Sequence, residues 1–171
     1  IVCASMAVMV LFSSCGTSTE KDNSKADANA DVVDASWDKV KESGKLILGL
    51  DATFKPMGYT DENDEIVGID VEIATAIAEE LGMKLEVEDM AFDSVIPAVS
   101  SGKADIGVAG MTVDPDRLES VNFSDTYADA SQVIIVKEDS AIAGPADLEG
   151  KSIGVQLGTT GDTYSSENVK D

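Results

Sequence analysis

The chain has 171 residues, of which 33 are Asp or Glu, 12 are Lys or Arg and none is His, so its formal net charge is −21. This length allows one ordinary domain or two small lobes, and the acidic excess without clustered basic residues argues against nucleic-acid binding. The lack of histidine excludes Ser-His-Asp, Cys-His and histidine–zinc chemistry.

An uncharged apolar run opens the chain at residues 2–12. It is shorter than the roughly 20 residues that a transmembrane helix needs, but it suits the hydrophobic region of a secretory signal. The LFSSC sequence at 11–15 resembles a bacterial lipoprotein cleavage site, at which a cysteine becomes N-terminal and lipidated. We therefore expect a lipoprotein signal peptide over residues 1–14, without its basic n-region, and lipidation of Cys15. The alternative is an ordinary cysteine in a hydrophobic leader.

A polar segment follows the apolar run. Residues 16–36 contain no aromatic side chain, and Val32 and Val33 are their only larger apolar groups. Such a segment cannot bury enough surface to offset the entropy of ordering it. As a flexible coil it would span about 25 Å. We therefore predict that residues 15–36 form a disordered tether, which would hold a folded body off a membrane surface.

From Lys45 onward, patterns typical of strands and helices alternate. In chain order they predict a buried strand at 46–50, a polar hairpin or loop at 58–68, a helix carrying apolar residues from 69 to 81, a strand at 84–88, a helix at about 94–101 and a strand at 105–109. Asp93 is the expected N-cap of the second helix, and Gly82 and Gly102 suit the left-handed positions just past the two helix ends.

This strand–helix order implies an α/β layer with a largely parallel sheet. Because ligands bind at the carboxyl ends of such strands, the segments that begin at Asp51 and Gly110 are candidate site positions. Further along, two more strands are predicted at 132–136 and 152–156, followed by a glycine-containing loop and a possible helix. The family resemblance given below implies most of a first lobe over residues 37–128 and the opening part of a second lobe over 129–171.

Arg117 is the strongest single candidate for ligand contact, because it is the one arginine among 11 lysines. Asp114 and Pro115 form a good helix start, which would place Arg117 in the first turn, near the strand end that carries Thr112. A guanidinium pairs bidentately with a carboxylate, whereas lysine cannot. The alternative is a surface ion pair with Asp114, Asp116 or Glu119.

Three further groups lie at candidate loop positions. Thr159 and Thr160, flanked by glycines before a possible helix, could bind an anion through free N–H groups, although no Walker lysine is present and an ordinary tight turn is the alternative. Phe54 and Phe92 could cover the apolar part of a ligand, or they could pack in the core. Asp51 could make a polar contact, or it could cap a helix or turn.

Together these segments resemble the extracytoplasmic solute-binding proteins of amino-acid ABC transporters, family 3. The matching segments keep a consistent order over residues 45–161. They are GLDATFKP at 49–56, VGIDVE at 67–72, AEELG at 78–82, IPAVSSGKAD at 96–105, GMT at 110–112, DR at 116–117, VNFSDTY at 121–127, DLEGK at 147–151 and QLGTTG at 156–161.

The resemblance implies a type II periplasmic-binding-protein-like fold, an α/β fold whose two lobes close over a free L-amino acid. In this chain the fold would be incomplete: the first lobe would lack its return segment, and the second would only begin. The resemblance implies that Arg117 and Thr112, with the Thr159-Thr160 backbone and hydroxyls, bind the ligand α-carboxylate, and that the Gly110 carbonyl and the Thr112 hydroxyl receive its α-ammonium. The implied ligand-binding set is Asp51, Phe54, Phe92, Gly110, Met111, Thr112, Arg117, Thr159 and Thr160, with Phe54 stacking on the ligand, Phe92 walling the pocket and Asp51 towards the ligand side chain.

The implied role is substrate capture for an ABC permease, outside the cytoplasm and with a lipid on Cys15 as the membrane anchor. The implied partners are therefore a free L-amino acid, the transmembrane subunits of the permease and the membrane. The resemblance implies neither catalytic residues nor a metal nor another cofactor. Two alternatives stay open: a dehydratase-type enzyme on the same fold, and the ligand-binding ectodomain of a sensor.

Overall fold

The computed structural model of the chain describes residues 30–169. The predicted signal peptide at 1–14, the lipidation site Cys15 and the tether up to residue 29 lie outside the described residues. The helices are α1 (Ala30–Ser43), α2 (Ile69–Glu80), α3 (Val95–Ser101), α4 (Pro115–Leu118) and α5 (Thr160–Asn168). The strands are β1 (Lys45–Leu50), β2 (Thr53–Phe54), β3 (Gly58–Thr60), β4 (Ile66–Val67), β5 (Lys84–Asp89) and β6 (Ile106–Gly107), and short 3-10 helices occupy Phe92–Ser94 and Pro145–Leu148.

A parallel sheet of order β5-β1-β6 forms the centre of the fold. Lys45 pairs with Lys84 at the start of β1, and Leu48 pairs with Ile106 further along. A second sheet is the antiparallel β2-β3-β4, which confirms the predicted hairpin at 58–68. The predicted strand at 105–109 pairs only over β6, so it is shorter than its apolar run.

The core lies between β1 and the helices that cover it. Leu48 and Leu50 are fully buried, and Ala74 of α2 and Val95 of α3 pack against them. Burying such side chains contributes about 1.5–3 kcal/mol each for the larger ones. The buried strand and both helices that the apolar periods predicted are therefore present, and their packing leaves the carboxyl ends of β1 and β6 open on one side of the sheet.

Helix α2 begins against the loop that precedes β3. The first backbone N–H groups of a helix have no partner within it. Here the N–H of Ile69 donates to the Pro56 carbonyl at 3.1 Å, and that of Asp70 to the Met57 carbonyl at 2.9 Å. The residue at the N-cap position, Gly68, therefore passes very close to that loop, and its φ is 129°.

Three predictions about local structure are wrong. Asp93 does not cap α3, because the 3-10 turn over Phe92–Ser94 runs directly into the helix and Ser94 occupies the N-cap position without a capping bond. The predicted tether ends too late, because α1 already begins at Ala30. The stretches at 132–136 and 152–156 form no strand, since neither pairs with another segment within residues 30–169; a strand needs a neighbour for its N–H and C=O groups.

The remaining features concern the helices and their ends. The possible helix after the glycine-containing loop is confirmed as α5, and Gly82 and Gly102 adopt the left-handed conformation at the ends of α2 and α3, as predicted. None of the helices described in residues 30–169 is both long and apolar enough to span a membrane.

Candidate ligand-binding site

A cavity of about 320 Å³ lies at the carboxyl ends of β1 and β6. This volume is at the lower end of the ~300–1,000 Å³ usual for small-molecule sites. Its lining combines the loops after these strands with the C-terminal part of the described chain (residues 129–169). The lining residues are Asp51, Phe54, Phe92, Ala109, Gly110, Thr112, Arg117, Ala130, Ser131, Gln132, Val133, Gln156, Thr159 and Thr160. The structure thus brings together every predicted site residue except Met111.

Arg117 is held at the cavity by three protein acceptors. Its Nε lies 3.0 Å from Asp114 Oδ2, its Nη1 donates to the Thr112 carbonyl at 2.6 Å, and its Nη2 donates to the Gly158 carbonyl at 2.8 Å. A guanidinium has five N–H donors, so these contacts leave one N–H on each terminal nitrogen without a partner among residues 36–169. One N–H on each of the two terminal nitrogens is the number that a bidentate carboxylate uses. The alternative ion pair with Asp114 is present, but it occupies Nε alone.

Local sequence explains the placement of this side chain. Asp114 caps α4, accepting the backbone N–H of Arg117 at 3.0 Å, and Pro115 is the first helical residue, as predicted. The guanidinium carbon also lies 5.5 Å from the centroid of the Phe92 ring, a distance at which a cation is attracted to an aromatic face. The Arg117 side chain is only 11% exposed, so both its charge and its plane are fixed beside the cavity.

Asp51 links the two sides of the cavity. Its Oδ1 accepts the Thr53 backbone N–H at 2.9 Å and the Thr53 hydroxyl at 2.5 Å, which is the turn cap considered as an alternative role. Its Oδ2 accepts the side-chain amide of Gln156 at 2.6 Å. Asp51 is 7% exposed, and no lysine or arginine within residues 36–169 forms an ion pair with it. The site therefore holds a carboxylate opposite to Arg117 in charge.

The two phenylalanines differ in their surroundings. Phe54 is 51% exposed, and Gly110 lies so close to it that a Cβ there would sit 2.9 Å from the Phe54 ring. Phe92 packs partly against the core and also lines the cavity, so core packing and a pocket wall are both correct descriptions of it. Two aromatic rings in the lining suit the apolar part of a small ligand.

The two threonines make internal hydrogen bonds. Thr159 caps α5, its hydroxyl accepting the Asp162 N–H at 3.3 Å, and the Thr160 hydroxyl donates to Gln132 at 3.0 Å. The Gly158 N–H, which an anion could have used, donates to the Asp162 carboxylate at 2.9 Å. The loop is thus the N-capped start of helix α5.

Gly110 belongs to a hydrogen-bonded chain that leads away from the cavity. Its N–H donates to the Tyr127 hydroxyl at 3.0 Å, and that hydroxyl donates to Asp70 Oδ1 at 2.9 Å. Burial is the main cause that raises the pKa of Asp70 above its ordinary value, while the hydrogen bond from Tyr127 opposes it. Burial and the Asp70 charge raise the pKa of Tyr127 to about 12. The tyrosine therefore keeps its proton at neutral pH.

Met111 does not line the cavity: it packs partly buried against the hydrophobic core. Met111 therefore lies apart from the other predicted site residues. The cavity contains residues that the sequence reasoning missed, above all Gln132 and Gln156. Gln156 is the last residue of a predicted strand, so the rule that ligands bind at strand carboxyl ends could have identified it. Within the described part of the chain, no three acidic or cysteine side chains converge on a possible metal position.

The sequence of residues 46–168 matches the profile of the bacterial extracellular solute-binding proteins, family 3. The chain belongs to this family. Among its relatives, the arginine-binding extracellular protein ArtP of Bacillus subtilis is 48% identical over 120 residues, which are 69% of this chain and 47% of ArtP. The chain thus spans about half the length of the curated relatives it matches. The family description places these proteins outside the cytoplasm.

Solved structures of the family superpose well on this chain. A truncated, arginine-bound ArgBP from T. maritima gives a TM-score of 0.73 at 45% identity, covering 76% of this chain and 62% of its own. AncCDT-1, described as an ancestral amino acid-binding protein and a precursor of cyclohexadienyl dehydratase, gives 0.71 at 41% identity, covering 76% and 59%. The type II periplasmic-binding-protein fold that the resemblance implied is confirmed, as part of that fold.

Proposed function

We propose that this protein is the substrate-binding component of an amino-acid ABC transporter. It captures a free L-amino acid outside the cytoplasm and delivers it to the permease. The observation that carries the proposal is the free N–H on each terminal nitrogen of Arg117, inside a cavity that also holds a carboxylate. Membership of the solute-binding family and the arginine ligands named for ArtP and ArgBP support it.

In the proposed complex, the ligand α-carboxylate takes the two remaining N–H groups of Arg117. Charge-assisted bidentate pairing is strong where water is scarce, and this guanidinium is largely shielded. The Gly110 carbonyl and the Thr112 hydroxyl accept the α-ammonium, with Thr159 and Thr160 closing the carboxylate side. Since all of these residues line one cavity, a zwitterion of the size of an amino acid can contact the guanidinium and the two ammonium acceptors at once.

The ligand side chain extends towards Asp51 in this arrangement. Phe54 and Phe92 cover its aliphatic part, and the Asp51 carboxylate with the Gln156 amide receives a polar end. A cationic group is favoured there, because no basic residue within residues 36–169 neutralises Asp51 through an ion pair. L-arginine is therefore the first ligand to test, in agreement with the ligand named for ArtP.

Closure of the site involves contacts between the two sides of the cavity. Arg117 donates to the Gly158 carbonyl, and Asp51 accepts from the Gln156 amide. Both charged side chains of the cavity therefore also bind to residues of the 129–169 part. We propose that residues 37–128 and 129–171 belong to two lobes that close on the ligand and exclude water. A bound ligand that touches both sides would stabilise the closed arrangement by its differential affinity for it.

Membrane attachment is the remaining part of the proposal. A signal peptide over residues 1–14 and a lipid on Cys15 would tether the folded body near its permease. Mass spectrometry of the protein purified from cell membranes tests this directly. A diacylglycerol-modified N-terminal Cys15 is expected, whereas an unmodified Cys15 within an uncleaved chain contradicts the anchor without affecting ligand binding.

A dehydratase-type enzyme is the second candidate, because AncCDT-1 is described as the precursor of one. The same description calls AncCDT-1 an amino acid-binding protein, which favours binding over catalysis. Incubation with prephenate and with arogenate separates the two functions. No turnover is expected, and turnover of either compound contradicts the binding-protein proposal.

The decisive test of the proposed function is calorimetric titration of the full-length protein with the twenty standard L-amino acids. We expect saturable one-to-one binding, with L-arginine among the tightest ligands. Absence of binding to every member of the panel would contradict the function. Tight binding of an acidic amino acid alone would contradict the role given to Asp51.

Replacing Asp51 by asparagine is expected to change ligand preference. The Asp51→Asn variant keeps the oxygen that caps Thr53 but loses the charge, so the affinity for L-arginine should fall about tenfold while that for L-glutamine stays within about threefold. Asp64→Asn is the matched control, since Asp64 is an exposed acid in the β3–β4 turn and does not line the cavity. Equal losses for both ligands would show that Asp51 does not select for charge.

A further inference from the structure

Asp70 is a buried acid to which the proposed binding mechanism gives no role. It lies in the first turn of α2 and is fully buried. Its Oδ1 accepts the Tyr127 hydroxyl, and its Oδ2 has no hydrogen-bond partner among the described residues. Burying a carboxyl group is costly unless it is fully hydrogen-bonded. A stability role alone therefore gives no reason for an acid at this position.

The Tyr127 hydroxyl connects this acid to the binding site. A hydroxyl has one proton to donate and lone pairs with which to accept. Because Tyr127 donates its proton to Asp70, its oxygen can accept the Gly110 N–H, at 3.0 Å. Asp70 thus fixes the direction of the hydroxyl proton, and the hydroxyl in turn holds the peptide group between Ala109 and Gly110.

Gly110 adopts a backbone conformation that glycine tolerates better than other residues. Its φ is 57°, in the left-handed region, and its backbone lies against the exposed Phe54 ring. Gly110 lines the ligand cavity, whereas Asp70 and Tyr127 do not. Tyr127 lies three residues before Ala130, which is the first residue of the 129–169 part to line the cavity. Asp70 and Tyr127 therefore contact the site only through Gly110. They lie where the chain passes from the strand side of the cavity to residues 129–169.

We propose that Asp70 and Tyr127 are positioning residues for ligand binding, which hold the Ala109–Gly110 peptide group and so fix the position of Gly110, whose carbonyl in the next peptide group receives the ligand. The proposal rests on the proposed function, because it gives Gly110 a ligand to receive. The raised pKa of Tyr127, about 12, is consistent with it, since a protonated hydroxyl can donate and accept at once across the neutral range. Asp70 and Tyr127 act through Gly110 and do not touch the ligand.

The experiment measures the L-arginine dissociation constant of the full-length protein by calorimetry, after circular dichroism has confirmed folding. Tyr127→Phe, which removes one hydroxyl from a half-exposed ring, should raise the dissociation constant about tenfold. Asp70→Leu should raise the dissociation constant by a similar factor. The double variant should bind L-arginine no more weakly than either single variant. Tyr59→Phe is the matched control, because the Tyr59 ring lies under Lys55 and does not line the cavity.

Asp70→Asn is the conservative variant that separates positioning from a structural role. Its amide oxygen still accepts the Tyr127 proton, so its dissociation constant should stay within about threefold of the wild-type value. A merely structural pair would lower the melting temperature of Tyr127→Phe and leave the dissociation constant of the folded protein unchanged. That result overturns the proposal. The proposal is also overturned if the losses of affinity from Tyr127→Phe and Asp70→Leu add up in the double variant.

The possible failures are distinguishable. If the wild-type protein binds neither L-arginine nor any other amino acid of the panel, the proposed function is wrong, and this inference is overturned with it. If another amino acid binds in place of L-arginine, the same series uses that amino acid. If the wild type binds and Tyr127→Phe matches the Tyr59→Phe control, only the positioning role is overturned. Should Asp70→Leu fail to fold, Tyr127→Phe and Asp70→Asn still give the answer.

Discussion

Arg117→Lys is expected to weaken L-arginine binding by about a hundredfold, close to 2.7 kcal/mol, while the protein stays folded. Lysine keeps the positive charge but cannot present two parallel N–H groups to a carboxylate. It also cannot keep the contacts to Asp114, Thr112 and Gly158 together, which hold the arginine at the cavity. Thr112 and Gly158 are themselves exposed, so water can replace the donors that their carbonyls lose, and global stability should change little.

Lys103→Arg is the control for this variant, because it is the reverse exchange at an exposed lysine that does not line the cavity. Calorimetry gives the dissociation constants, and thermal unfolding followed by circular dichroism reports folding. If Arg117→Lys binds L-arginine as tightly as the control does, charge alone is sufficient and the bidentate pairing is wrong.

Gly68→Ala is expected to have the largest effect on stability, lowering the free energy of unfolding by about 3 kcal/mol or more. An added Cβ would clash with the Met57 carbonyl oxygen and would lie 2.8 Å from that of Pro56, and the φ of 129° is itself strained for alanine. The clash involves backbone atoms that bind the first N–H groups of α2. Relief would therefore require the helix to move away from the loop.

Gly82→Ala separates the clash from the backbone conformation. Gly82 also has a positive φ, 66°, but a Cβ there would meet nothing within 4 Å. The free energy of unfolding of Gly82→Ala should therefore fall by the conformational cost alone, about 1 kcal/mol. Urea unfolding of both variants measures the difference. Equal losses would show that the approach of α2 to the Pro56-Met57 loop does not constrain the fold.

Local sequence signals predicted the parts of the structure that depend on near neighbours. The apolar run of β1, the helical period of α2 and the Asp114-Pro115 start of α4 each act within a few residues, and each is present. The position of Arg117 followed from the last of these. The order of strand and helix then predicted the parallel sheet and the edge at which the cavity lies.

Contacts between distant residues could not be predicted in this way. The bond between Asp51 and Gln156 joins residues 105 positions apart, and that between Asp70 and Tyr127 spans 57. Neither pair has a local pattern. The side-chain direction of Met111 could not be predicted either. Met111 belongs to a loop that lines the site, but its side chain packs against the core.

The failed strands have a similar cause. Residues 132–136 and 152–156 are apolar enough for strands, but a strand forms only where another segment accepts its hydrogen bonds. Ile135 is 91% exposed, and Val133 is 66% exposed. Side-chain composition reports a preference for the extended conformation, whereas pairing depends on which other segments are adjacent.

Recognition of the ligand α-carboxylate by Arg117 is the central claim, and one comparison tests it most directly. Calorimetric titrations of the full-length protein with L-arginine and with agmatine, which is the same molecule without the carboxylate, isolate that group. We predict that agmatine binds at least about a hundredfold more weakly than L-arginine. Equal affinities for the two compounds would contradict the carboxylate clamp.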